Sequence, residues 1–508
     1  MASAEKGQIA QAPSTHEDEF AQADLKQLEH NVEDVIPKPE NIQGLSDADL
    51  KALEKKMVQK LDLVIMPIMG ILYILNYVDR SALAATKVYG ITEDLNMTPN
   101  EFATAISILF VGYIPMQIPS NMVITKISRP GLYICSAAII WGAVSASTAA
   151  VQTYQGLLGI RVLLGVTEAV FFPGMIYFLG AWYTSKELGK RLAALFIFQM
   201  LGSAFGGFVA AACLTLDGRY GIAGWRWLFI VEGAVTIGCG LIFALIMPEY
   251  PHNARLLTPI EKSYATWRLE AEAGLGEAHE ETSTFGGLKL AFMDTKIWAL
   301  VWCMGMAQAM GSIVNFFPSI VETLGYPRIE TMLLTAPPYV LAAIVFYIVS
   351  YISDRKGTIY PIIVSCLAVA VVAYVIPLAT LRTGPRYFAM MLMPLVCAGP
   401  QIMLYKTMNL HMARPYPKRA AGVAMMNSIG GLSNFWASYL YGGPPHYYAA
   451  FGCLLGCVAA FVITITGYLF NVRRLNKLLS GTPEERQRAM RSGVTQQQLD
   501  LQWRYIGY

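Results

Sequence analysis

Residues 155–180 read QGLLGIRVLLGVTEAVFFPGMIYFLG. The run is long enough to cross the roughly 30 Å hydrocarbon core of a bilayer, and Arg161 and Glu168 are its only charged side chains. A stretch this apolar is not a solvated surface helix. A charge seated in hydrocarbon is costly enough that it must face protein or a water-filled cavity. Seven residues turn a helix through about 700° and rise about 10 Å, so Arg161 and Glu168 share one face without pairing tightly with each other. This stretch therefore describes a membrane-spanning helix with two charges turned inward.

The same pattern repeats on both sides of it. Apolar runs between polar punctuation fall at 63–84, 101–124, 132–151, 155–180, 191–215, 226–247, 297–322, 331–351, 359–380, 387–412, 419–441 and 448–471. The chain has 508 residues, 55% apolar and only 14% charged, against about 25% charged in soluble proteins. Of its 73 charged side chains, 43 lie in residues 1–62, 248–296 and 472–508. The fold class is all-α integral membrane, with twelve transmembrane helices in two six-helix bundles. The expected organisation is an N-terminal tail (1–60), a first bundle (61–247), a central loop (248–296), a second bundle (297–471) and a C-terminal tail (472–508). Ser46 and Asp49 have capping-box spacing ahead of Leu50, Leu53 and Met57, which predicts a short interfacial helix leading into the first span.

Lys and Arg in short loops favour the cytoplasm. With the N-terminus inside, ten fall on four short cytoplasmic loops and five on the six external ones, so both termini are expected to be cytoplasmic. Asn96-Met97-Thr98 then lies outside and matches a glycosylation acceptor. A net charge of +3 and the lack of a dense basic block argue against a nucleic-acid partner. No metal or nucleotide motif and no nucleophile-base set is present, which argues against an enzyme and against a cofactor. The eight cysteines all lie in apolar stretches and are read as buried thiols. The expected partners are the lipid bilayer and a small solute, and the chain is expected to be a monomer.

Few ionisable residues remain inside the spans, and each needs a partner or a role. Glu168, near the middle of its span, is placed to take up and release a proton. Arg161, permanently charged and fork-shaped, suits a carboxylate or phosphate. Asp79 and Arg80 point about 100° apart, so each must find its partner on another helix. Arg80 is a second anchor for an anion, and Asp79 offsets Arg161 when the site is empty. Lys406 is read as a third cation facing the cavity, and His411 as structural. Glu232 is read as bonded to neighbouring backbone or to an arginine. Among neutral residues, Asn315 and Gln199 are candidates for hydrogen bonding to substrate, with Tyr77 and Tyr113 as aromatic walls.

Several of these residues sit in recognisable motifs. Asn76-Tyr77-Val78-Asp79-Arg80, the Arg161 and Glu168 pair followed by Phe172-Pro173-Gly174, and Gly224-Trp225-Arg226-Trp227 running on to Glu232-Gly233 resemble the anion:cation symporter family of the major facilitator superfamily. Pro248-Glu249, Asn253 to Thr258, and Asn315-Phe316-Phe317-Pro318 are similar to its fungal allantoate permease branch. The resemblance implies a proton-coupled carrier of small organic anions in the plasma membrane, driven by the proton gradient. Substrates in the branch include allantoate, nicotinate, pantothenate and short peptides. It implies anion binding at Arg161 and Arg80 and proton coupling at Glu168 and Asp79. It also implies cytoplasmic gating by Ser350 with Asp354, Arg355, Lys356 and Gly357. The matching turn of the first half, Ser120 to Lys126, lacks the acidic residue, and Lys406 replaces a mostly small neutral residue. Export of an acidic metabolite by proton antiport, and a non-transporting nutrient receptor, are the alternatives open to the sequence.

Overall fold

The computed structural model describes residues 38–124, 126–277, 284–412, 416–491, 494 and 505, and these contain helices and no strand. The first six spanning helices are α1 (Asp47–Thr86), α2 (Pro99–Ile124), α3 (Pro130–Ser147), α4 (Tyr154–Gly180), α5 (Ser185–Leu214) and α6 (Gly224–Ile246). The second six are α7 (Thr295–Glu322), α8 (Arg328–Lys356), α9 (Tyr360–Ala379), α10 (Thr383–His411), α11 and α12 (Tyr448–Leu479). Here α11 is three consecutive pieces, Tyr416–Gly431, Ser433–Ala437 and Ser438–Tyr441. Among the described residues, eleven helices are long and apolar enough to cross a membrane. α11 falls short because Gly430, Gly431, Ser433 and Asn434 interrupt it, and glycine and serine hold a helix weakly.

By internal contacts the chain divides into two compact units. One joins the chain up to Val58 with Pro251–Glu280, and the other holds Gln59–Tyr250 and Glu281–Tyr508. In the first, Arg268 Nη1 meets Glu54 Oε1 at 3.3 Å and Lys38 lies 5.9 Å from the Trp267 ring centre. The N-terminal segment and the central loop, separate regions in the sequence reading, thus pack together. The expected short interfacial helix is also corrected. Ser46 does cap the start, with Asp49 N donating to its Oγ at 3.2 Å, but the helix then runs unbroken for 40 residues, because nothing between Leu50 and the first span stops it.

Three helices break where the halves face each other. Pro173 has no N–H for the carbonyl of Ala169, and α4 opens between Glu168 and Phe171. Pro318 acts likewise in α7, which tightens into a 3₁₀ turn over Ser312–Phe316. α11 breaks at Leu432. Broken helices of this kind are tolerated at membrane depth where they line a cavity.

Glycines set the close crossings. α3 and α6 meet backbone to backbone at Gly142 and Gly233, where an added Cβ on Gly233 would stand 2.9 Å from Ala146 N. The two halves meet at the end away from the chain termini. There Thr104 and Tyr439 hydroxyls are 2.9 Å apart, the Phe102 and Phe316 rings meet edge to face at 6.5 Å, and Gly207 of α5 packs on Met332 and Thr335 of α8. Lys87, just past α1, lies over Phe102 at 5.4 Å. Burial pushes its ammonium below the usual lysine value, while Glu322 and Glu93 pull it partly back.

Candidate functional site

Asp79 and Arg80 turn to different helices, as their separation on α1 requires. Arg80 Nε donates to Glu168 Oε2 at 2.7 Å; the Glu168 side chain is fully buried and that of Arg80 is 21% exposed. The guanidinium also rests 4.5 Å from the Tyr113 ring centre and 5.6 Å from that of Tyr77, a stacking arginine favours. Asp79 Oδ1 accepts from Ser145 Oγ of α3. Arg161 is buried, and its Nε donates to the Ala105 carbonyl of α2 at 3.3 Å. Arg161 Nη1, Glu168 Oε1 and Asp79 Oδ2 have no hydrogen-bond partner. The structure therefore joins Glu168 to Arg80 and Asp79 to Ser145, and shows no hydrogen bond between Asp79 and Arg161.

Of these groups, Arg80 and Arg161 border a cavity between the halves. The first half supplies Arg80, Arg161, Tyr77, Ser81, Gln199 and Ser203, and the second supplies Gln308, Asn315, Gln401 and Asn434. An adjoining lobe shares Tyr77, Arg80, Gln199, Gln308, Gln401 and Asn434 and adds Tyr73, Tyr113, Phe172, Tyr405 and Asn427. Both cations of this lining come from the first half, and the facing wall is built of amides. Asn434 Nδ2 donates to Gln308 Oε1 at 3.2 Å, Tyr405 to Asn427 Oδ1 at 3.2 Å and Tyr73 to Gln199 Oε1 at 3.4 Å. Gln199, Asn315, Tyr77 and Tyr113 line these lobes. Gln308, Gln401 and Asn434 were not singled out, although Gln308 and Asn315 on α7, and Asn427 and Asn434 on α11, repeat at seven residues. That spacing puts each pair on one helix face and was the available signal.

Lys406 borders neither lobe. Its ammonium donates to Ser353 Oγ at 2.8 Å, tying α10 to the last turn of α8. That turn ends at Gly357, whose positive φ of 63° and N–H to the Ser353 carbonyl close the helix in the left-handed form glycine accepts. Arg355 is exposed and lies 5.0 Å from the Tyr351 ring centre; the Asp354 side chain lies outside the described residues. His411 Nδ1 is 2.7 Å from Tyr468 OH, a structural contact. Asn96 is exposed, while the Thr98 hydroxyl of its acceptor sequence caps α2 by accepting from Glu101 N at 3.3 Å. Glu232 departs from its sequence reading: it is 4% exposed and neither carboxylate oxygen has a hydrogen-bond partner. The arginine nearest to it in sequence, Arg226, donates to the Ala149 carbonyl and lies 4.3 Å from the Trp225 ring centre. Among the described residues no cluster of His, Cys, Asp and Glu is suited to a metal ion.

Known proteins share this architecture. The chain is 30% identical to an uncharacterized transporter of Schizosaccharomyces pombe over 84% of its length and 88% of that protein. It is 28% identical to the high-affinity nicotinic acid transporter of Saccharomyces cerevisiae, over 68% of this chain and 64% of that one. Its fold resembles the crystal structure of a bacterial homolog of the human lysosomal transporter Spinster, with TM-score 0.62, 15% identity, and coverage of 80% of this chain and 96% of that chain. The family model of the Major Facilitator Superfamily matches residues 69–438. A multi-pass membrane protein with this helix order, central cavity and set of relatives belongs to the major facilitator superfamily of transporters.

Proposed function

We propose that this transporter carries a small organic anion together with a proton by alternating access. The observation that carries the reading is the ion pair that Arg80, on the cavity wall, makes with the buried Glu168, with the unpartnered Nη1 of Arg161 on the same lining. While Glu168 is ionised, it occupies the Arg80 guanidinium. A proton on Glu168 releases that guanidinium, and a carboxylate docked between Arg80 and Arg161 takes its place through charge-assisted hydrogen bonds. Proton and anion then enter a low-dielectric site as a neutral sum, which favours closure around both. Gln199 and Asn315 hydrogen-bond the rest of the molecule, Tyr77 and Tyr113 wall it, and Asp79 holds the charge balance behind Arg80. Lys406 has no contact with substrate in this reading. It steadies the α8 turn that carries Arg355 and Gly357. With both termini cytoplasmic, at the plasma membrane, the packed end is the outer one.

A monocarboxylate fits one proton per cycle. The relative named for nicotinic acid makes nicotinate the first probe, within a panel of radiolabelled carboxylates. Each pH unit across the membrane is worth about 1.4 kcal/mol, so about two units sustain roughly 100-fold accumulation. Transport-null yeast expressing the full chain should accumulate one of the panel at about pH 5 and less at about pH 7. Glu168→Gln should abolish that accumulation and leave counterflow exchange intact. Accumulation by the variant, or no uptake of any carboxylate, overturns the reading.

A further inference from the structure

On α6 the residues Trp225, Leu228, Glu232, Gly233, Thr236 and Gly240 are buried at helical spacing. The stripe packs on α3, where Thr236 and Gly233 meet Gly142. Glu232 sits in this buried face, and neither of its carboxylate oxygens has a hydrogen-bond partner. Among the described residues, the groups shown around it supply no cation. α3 presents Gly142, Ser145 and Ala146; α5 presents the Cys213 thiol; and Tyr89, past α1, gives its hydroxyl to the Ala210 carbonyl. The charged side chain whose field reaches Glu232 is Asp79 of α1. Asp79 is itself a buried carboxyl with Oδ1 held by Ser145 and Oδ2 unpartnered. A carboxylate with no donor in such a setting carries a far larger desolvation cost than the neutral acid. Asp79 packs on Ser145, and the α6 stripe on Gly142 and Ala146, within one turn of α3; buried carboxyls so placed titrate as a pair where they interact strongly.

We propose that Glu232 and Asp79 form a carboxyl pair that holds a proton of its own, distinct from the one exchanged at Glu168, with Glu232 the neutral partner in this conformation. Asp79 lies in the fields of Glu168, Arg161 and Arg80, so the protonation of the pair is felt at the anion site. When the pair releases its proton, a Glu232 oxygen loses it and the pair gains one negative charge; no other bond changes. As a part of the transport cycle the pair rests on the proton-coupled reading above, but its proton is measurable with no substrate present.

The test is infrared spectroscopy of the purified full chain in lipid at neutral pH, reading the carbonyl band of protonated carboxylic acid. The wild type and Glu168→Gln should both show a buried acid band. Glu232→Gln should lose it, and Asp79→Asn should shift it with Glu232 intact, so the result does not depend on the folding of one variant. Absence of an acid band from the wild type, its survival in Glu232→Gln, or an unshifted band in Asp79→Asn overturns the pair. None of these outcomes bears on whether the chain accumulates a carboxylate, so the two readings fail separately.

Discussion

The crossing of α2 and α4 is the tightest point behind the cavity, and it makes a quantitative prediction. A Cβ on Gly165 would stand 3.0 Å from Tyr113 N and nearer still to the Leu109 carbonyl oxygen. A Cβ on Gly112 would stand 3.0 Å from Val166 N and nearer still to the Val162 carbonyl oxygen. These are backbone atoms of the facing helix and cannot rotate aside. Carbon and carbonyl oxygen on adjacent helices settle at about 3.3–3.6 Å, so either alanine forces the helices apart by roughly 1 Å, an overpacking cost of about 1–3 kcal/mol. Arg161 and Glu168 lie four residues before and three after Gly165, so they move with it. A shift of roughly 1 Å takes Glu168 from 2.7 Å to beyond hydrogen-bond range of Arg80. Gly159, on the same helix, has nothing within 4 Å of its added Cβ, and Gly159→Ala should stabilise by about 0.5–1 kcal/mol. Thermal melting of the purified full chain in detergent should show lower Tm for Gly165→Ala and Gly112→Ala and none of this for Gly159→Ala. The double variant should lose less than the sum of the singles, because one separation accommodates both methyl groups. A Gly165→Ala protein as stable as the wild type, or strict additivity, would refute the close crossing.

Three further outcomes follow from described contacts. Asp294 at the start of α7 holds Lys418 at 2.7 Å and Lys296 at 3.2 Å with all three side chains buried; Asp294→Asn keeps the helix cap but should cost about 3–5 kcal/mol by removing the carboxylate that two buried cations share, and adding Lys418→Met should recover part of the lost melting temperature. Thr98→Ala removes the cap of α2 and should cost about 0.5–2 kcal/mol, read by the same melts. Tyr505 is buried, bonded through its backbone to Asn476 at 2.8 and 2.9 Å, with its ring 5.3 Å from that of His411; Tyr505→Ala should cost about 3–5 kcal/mol and speed proteolytic clipping of the C-terminus, and an unchanged clipping rate would contradict this docking.

Much of the fold was legible because hydrocarbon imposes strict rules: spans, six-plus-six grouping and inward charges all follow from apolar length and the cost of a bare charge. The separate partners of Asp79 and Arg80 were likewise dictated by their angular offset. What the sequence hid depended on which faces meet. Lys406 has the composition of a cavity cation, but α10 turns it toward Ser353. Glu232 stood near Arg226, yet Arg226 is drawn off by the Ala149 carbonyl and the Trp225 ring. The amide wall of Gln308, Gln401 and Asn434 was present in the letters, but only the packing of α7, α10 and α11 tells an amide that meets the cavity from one that binds helices together.

The division of charge between the halves has a mechanical consequence for the proposed alternation. Arg80–Glu168 and Arg191–Asp62 lie within the first half, and Asp294 with Lys296 and Lys418 within the second. Breaking a buried pair such as those of Asp294 by removing one partner costs about 3–5 kcal/mol, whereas Asp62 is 40% exposed and its pair is worth less. The contacts described across the packed end are of another kind: the Thr104–Tyr439 hydroxyl pair, the Phe102–Phe316 and Phe110–Phe435 rings, and the more distant attraction of Lys87 for Glu322. Neutral hydrogen bonds and ring pairs are worth about 0.5–1.5 kcal/mol each, so the halves can part there without breaking any of these ion pairs. In the proposed cycle the anion changes that balance, since it joins the guanidiniums of one half to the amides of the other. The molecule in the cavity, rather than a fixed salt bridge, is then what ties the motion of the two halves together, and a substrate too short to reach the amide wall should bind to Arg161 without being carried.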